Sequence, residues 1–187
     1  MIKIWKYKCA RFSHKLILFV FIIFFKSING ASTQSTNIVF QYYTTDNGLS
    51  QNMVDCILKD SRGFMWFGTW KGLNRFDGYG FEVYKYNPVD STTINNNFIH
   101  DLCEDKFGNI WVATEMGLNV YLYDLNRFGL IDHTLGKKGN TSLTINSLKS
   151  DKEGNIWIGW EDGVSIIKPI DKKGHYINIS QQLDIQR

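Results

Sequence analysis

One stretch of this sequence occurs three times, and a chain that repeats itself folds as copies of one unit. Asp105 to Tyr121, DKFGNIWVATEMGLNVY, has counterparts in Asp60 to Phe76, DSRGFMWFGTWKGLNRF, and in Asp151 to Ile167, DKEGNIWIGWEDGVSII. The first glycine of the unit stands at Gly63, Gly108 and Gly154, the tryptophan at Trp66, Trp111 and Trp157, and the second glycine at Gly72, Gly117 and Gly163. The period is therefore 45 and then 46 residues. Upstream, Val54, Ile99 and Ile145 keep the spacing, as do Ile57, Leu102 and Leu148. A period of about 40–50 residues, rich in strand formers and turn residues, is the signature of β-propeller blades.

Each letter of the unit has a physical reason. Asp, two variable residues and Gly read as a tight hairpin turn. The carboxylate accepts from backbone amides, and Gly takes the positive φ that a side chain resists. The run after it, Asn109 to Thr114, alternates as a strand, with Ile110, Val112 and Thr114 on one face and Trp111 on the other. Both faces therefore need cover. Neighbouring blades supply it, and a tryptophan recurring in every blade is expected to fill the same gap each time.

Taken in order, residues 38–52 are expected to hold a strand (from Asn37 to Tyr43) and a polar lead-in loop, followed by four-stranded blades over 53–88, 98–132 and 143–180. Crossings rich in Asp, Ser, Thr, Asn and Gly join them, and 181–187 carries no signal. No helical periodicity occurs outside the first residues. The fold class is all-β, a partial propeller. Three blades do not close a ring, so the chain reads as the first part of a longer protein, with two copies making six blades as the alternative.

Charge has to be read by segment. The whole chain carries +3, but six of its 21 basic residues (Lys3, Lys6, Lys8, Arg11, Lys15, Lys26) and none of its 18 acidic ones precede residue 31. The remainder holds 15 basic against 18 acidic residues, which argues against a nucleic-acid partner. The basic start followed by Leu16 to Phe25, LILFVFIIFF, is about 15 Å of helix against a bilayer core of about 30 Å. A signal peptide over 1–31, cleaved between Gly30 and Ser32, is the expectation, and export to the periplasm follows from it. An uncleaved membrane anchor is the alternative. Cys56 and Cys103 sit four and two residues before the turn Asp of successive units, non-equivalent offsets that favour buried free thiols over a disulfide. No metal spacing or cofactor motif is present, so neither is expected.

The runs from Asn47 to Gly78, from Asn95 to Tyr121 and from Asp151 to Ile167 resemble the two-component regulator propeller repeat. The leader followed closely by FQYYTTDNGLSQN is similar to the start of such sensors. The resemblance covers residues 38–170 and implies the periplasmic sensor region of a hybrid two-component histidine kinase of Bacteroidetes type. Such a receptor binds oligosaccharides and controls polysaccharide utilisation. Kinase motifs are absent from this chain, so it is not expected to be an enzyme itself. Contact with the membrane would come through an uncleaved leader or a downstream segment.

Positions constant among the repeats read as structure: Asp60, Asp105 and Asp151 with the glycines and tryptophans above. As a general acid or a calcium ligand, each Asp is better explained by its turn. A ligand is expected on positions that differ, in the loop before the second glycine: Trp70 and Lys71, Glu115 and Met116, Glu161 and Asp162. Trp70 or Trp160 supplies an aromatic platform for a sugar, and Arg75 and Tyr79 have similar standing. Two other readings stay open: a secreted propeller lyase, with His100 as its candidate, and a scaffold binding a protein through its rim.

Overall fold

In the computed structural model, described here for residues 38–131, 144–161 and 163–179, each repeat folds into its own sheet. The strands are β1 (Val54–Lys59), β2 (Met65–Thr69), β3 (Gly72–Phe76) and β4 (Phe81–Tyr84) in the first sheet. The second holds β5 (Ile99–Glu104), β6 (Ile110–Thr114), β7 (Gly117–Leu122) and β8 (Arg127–Leu130). The third holds β9 (Ile145–Ser150), β10 (Ile156–Trp160), β11 (Gly163–Pro169) and β12 (Tyr176–Asn178). All three are antiparallel meanders in chain order. Two short 3-10 turns, at Thr45–Asn47 and Tyr123–Leu125, are the helical elements among the described residues. The chain divides into two units, 1–41 and 42–187, of which the first is described only from residue 38.

The turn chemistry is the same three times. The amide of Gly63, Gly108 or Gly154 donates to the carbonyl of the Asp three residues earlier, at 3.0, 3.0 and 3.1 Å, and these glycines take φ of 95, 81 and 82°. One carboxylate oxygen accepts from turn amides, from Arg62 and Phe64 on Asp60 and from Phe107 and Asn109 on Asp105. On Asp151 it accepts from the Asn155 amide. The other oxygen accepts the indole N–H six residues on, at 2.8 Å for Trp66 and 2.9 Å for Trp111 and Trp157. The aspartate therefore fixes both the turn and the rotamer of the blade's largest side chain.

The sheets stack face to face, with β5 packed beside β1 and β9 beside β5, so the first strand of each sheet lines the inner side. Between the first and second sheets, Trp66 and Leu73 meet Ile110, Val112, Tyr121 and Phe128. Between the second and third, Trp111, Leu118 and Val120 meet Leu148, Ile156, Ile158 and Ile167. The middle sheet is covered on both sides, which is why every residue of β6 and β7 is buried. These are blades of a β-propeller.

Three expectations need correction. The expected strand at the start does not form over the described positions 38–43, where no strand among the described residues pairs with it. Tyr43 instead packs on Phe76 and Phe81 of the first sheet, at ring distances of 4.8 and 5.7 Å. The first blade, expected over 53–88, has its outer strand end at Tyr84. The tryptophans do not all fill a gap between sheets: Trp66 and Trp111 are fully buried, but Trp157 is 41% exposed, because no described sheet follows the third. The expected leader (1–31), the second crossing around Lys137 to Thr141, Asp162 and the tail 181–187 lie outside the described residues.

Two cysteines are free among the described residues. Cys56 packs into the first interface and Cys103 into the second, so a whole sheet separates them. Burial first, and then the charge of Asp101, pushes the Cys56 thiol up to about 12. Cys103 is pushed up further by the same causes.

Candidate functional site

Each inner strand breaks its ladder at one equivalent residue. The pairing of β1 with β2 skips Asp55, that of β5 with β6 skips His100, and that of β9 with β10 skips Asn146. A bulged residue leaves the ladder and its side chain is re-aimed. Here it turns toward the hairpin that joins the second and third strands of the same sheet. Asp55 accepts from Trp70 Nε1, and His100 Nε2 lies 2.8 Å from Glu115 Oε2. The same two positions in the third sheet are held by Asn146 and Glu161, both exposed. A constant scaffold thus presents a pair of residues per sheet that changes from one sheet to the next.

Neighbouring pairs are linked across the first interface. Trp70 stacks on Phe98 at 4.7 Å and 22°, and Phe98 lies 5.2 Å from the His100 ring. The Glu115 amide donates to the Phe98 carbonyl at 3.2 Å, and its carbonyl accepts from Thr144 Oγ1 at 3.3 Å. A continuous row results: Asp55, Trp70, Phe98, His100, Glu115. Trp70 is held at its edge by Asp55 and on one face by Phe98, yet 43% of it faces solvent. Its exposure is not that of a missing neighbour, since it sits where two sheets already meet. Trp157 is the contrasting case.

The remaining residues singled out in the sequence fall elsewhere. Lys71 is exposed beside Trp70, its amide donating to Thr69 Oγ1 at 3.1 Å. Arg75 lies toward the opposite end of β3, ion-paired with Glu82 and 4.8 Å over the Phe64 ring. Tyr79 is 97% exposed on the turn before β4. Trp160 packs against the second interface, its Nε1 donating to Ser165 Oγ at 3.0 Å. In the other sheets its position holds a buried threonine, Thr69 or Thr114, which donates to a glycine carbonyl. Trp160 is thus half-buried against the second interface, with its N–H already bonded.

Sequence reading missed the partners. Asp55, Phe98 and Asn146 were not singled out, although residues 55, 100 and 146 vary at the repeat spacing just as the hairpin residues do. It also missed a buried polar hub in which Asn74 and Asn119 anchor the lead into the first and second sheets. Their Oδ1 atoms accept from the amides of Ser50 and Asn95 at 2.8 and 3.1 Å. Among the described residues no cluster of three His, Cys, Asp or Glu groups is placed to hold a metal. A crevice of about 490 Å³ on the outer side shares Met116, the neighbour of Glu115.

Residues 48–71 and 93–116 match the family described as Two component regulator propeller. The chain carries two component regulator propeller repeats. Each matched stretch runs from the polar hub through the bulge, the aspartate turn and the tryptophan to the hairpin. The chain is also 48% identical over 62 residues to histidine kinase P4 of Formosa agariphila, a stretch covering 33% of this chain and 4% of that protein. Its structure is similar to the extracellular domain of a hybrid two component system of B. thetaiotaomicron, with a TM-score of 0.62 and 26% identity. That likeness covers 76% of this chain and 20% of the other. The chain therefore spans a small part of the relatives it matches. Virginiamycin B lyase of Staphylococcus aureus shares the fold alone, at 15% identity and a TM-score of 0.54, over 77% of this chain and 46% of the lyase. No helix among the described residues is long and apolar enough to cross a membrane.

Proposed function

We propose that these repeats are part of the periplasmic sensor of a hybrid two-component histidine kinase, and that they bind an oligosaccharide along the row of Trp70, Phe98, His100 and Glu115. The observation that carries this reading is the state of Trp70. An indole fixed on one face and at its polar edge offers its other face at little conformational cost, as the apolar face of a sugar ring requires. The likeness to an extracellular domain of a hybrid two component system supports the setting. In this reading the leader exports the chain, further sheets complete the ring, and binding is passed across the membrane to a kinase elsewhere in the protein.

The repeats themselves act as a binding module, with no cofactor and no chemistry of their own. The His100–Glu115 pair is accounted for as part of the row, and the lyase likeness extends to the fold only. The test is a thermal-shift screen of the chain against short oligosaccharides. A saccharide that raises Tm for the native chain and not for Trp70→Ala supports the proposal. A complete panel without any shift overturns it.

A further inference from the structure

We infer that the row takes a neutral oligosaccharide, one that presents hydroxyls and carries neither carboxylate nor sulfate. This rests on the proposed saccharide binding and adds the chemical class of the ligand.

The inference comes from which charged groups share the end of the sheets where Trp70 sits. Asp55, Glu115 and Glu161 flank the row from the three sheets in turn. Asp101, next to the bulge, already accepts from the Leu148 amide at 2.7 Å. The described basic groups at this end are Lys71, His100, which is already paired with Glu115, and, farther out, Lys85, whose stem lies against Gly72. The guanidinium groups that would clamp a carboxylate or sulfate are committed elsewhere. Arg62 lies 3.8 Å over Tyr123 and donates to the Gly108 carbonyl at 2.8 Å, at the aspartate-turn end. Arg75 is paired with Glu82, and Arg127 opens β8 opposite Leu122, at the end of its sheet away from the hairpin that carries Glu115.

Carboxylates with spare lone pairs accept from sugar hydroxyls, whereas an anionic sugar brought among them meets like charge without a bidentate partner. Trp70 adds an apolar face and, with its N–H already bonded to Asp55, no free donor. A ring carrying hydroxyls at its edge and C–H groups on its face fits that set. An anion does not.

The experiment is titration calorimetry on the full chain with two sets of probes. One contains neutral gluco-, manno- and xylo-oligosaccharides; the other contains oligogalacturonates and chondroitin sulfate fragments. The expected result is binding of a neutral probe that weakens at least about tenfold in Trp70→Ala. Affinity should be unchanged by added salt, since a neutral ligand forms no ion pair with the row. Trp70→Phe, which keeps the stack on Phe98, should weaken it less, and serves if the alanine variant fails to fold. An anionic probe that binds and is lost with Trp70→Ala overturns the ligand class while leaving saccharide sensing standing. Neutral binding indifferent to both Trp70 substitutions overturns the row as the site. Binding by neither set overturns the sensor reading itself.

Discussion

The three repeat tryptophans provide a controlled comparison, because they share a hydrogen bond and differ in cover. Each donates its indole N–H to the turn aspartate, at 2.8, 2.9 and 2.9 Å, so truncating any of them to alanine loses the same bond. What differs is burial: none of Trp66 or Trp111 is exposed, against 41% of Trp157. A fully buried tryptophan removes about 250 Å² from water, worth about 6 kcal/mol at about 25 cal/mol per Å², and such truncations in cores cost about 3–5 kcal/mol. For Trp157 the same arithmetic gives at most roughly 3.5 kcal/mol. The open face leaves no closed cavity, so about 1–2 kcal/mol is expected. Urea unfolding of Trp66→Ala, Trp111→Ala and Trp157→Ala in the full chain, read at constant m-value, should therefore separate the third from the first two by about 2 kcal/mol. If Trp157→Ala costs as much as Trp111→Ala, something covers the third sheet as the second and third cover the first two, and the burial argument fails.

Other perturbations follow from the same contacts. Asp105→Ala strands the buried Trp111 indole and two turn amides, and should cost at least about 3 kcal/mol by thermal or urea unfolding. The Asp151 carboxyl is held at about 2: burial works to raise it, but the hydrogen bonds from Trp157 and Asn155 outweigh that. A depressed carboxyl contributes stability that is present above its unfolded value near 3.8 and is lost as pH falls through about 2. The Trp157 indole N–H resonance should therefore move in that window and stay constant above pH 5. The thiols should resist alkylation at pH 8 in the folded chain. With the folded Cys56 value raised, its contribution is complete below about 9 and is lost as pH rises toward about 12, at no more than about 1.4 kcal/mol per pH unit. An alkaline melt with no added loss across that range would contradict the burial of Cys56.

The scaffold was legible in the sequence because its causes are local. A turn of Asp and Gly, and a tryptophan six residues after the Asp, are close along the chain, and repetition at 45 and 46 residues marked them as structural. The row was half legible. Trp70 and Glu115 stood out as differing between repeats. Their partners Asp55 and His100 lie fifteen residues upstream in the ladder and reach them only because a bulge turns the side chain, which strand alternation does not announce. Trp160 stands where the other sheets hold a buried threonine and is half-buried against the second interface, a packing that only the third dimension shows. Arg75 and Trp70 are five residues apart, yet β3 carries them to opposite ends of the sheet.

That division explains how one repeat can serve both stability and recognition. The turn aspartate cannot change without freeing several donors, so divergence there is penalised, most of all in the first two sheets where those donors are buried. The bulged residue contributes no ladder pairing, and the hairpin residue opposite it is exposed or half-buried, so this pair diverges at little cost in folding free energy. With stacked sheets about 10 Å apart, each sheet adds one independently adjustable pair along the inner rim. In the proposed reading, a ligand laid along the rim would meet Asp55 with Trp70, His100 with Glu115, and Asn146 with Glu161 in succession. Exchanging one pair alone should alter which saccharide binds while leaving urea unfolding within about 0.5 kcal/mol of the native chain. A pair exchange that unfolds its sheet would show instead that the bulge belongs to the scaffold.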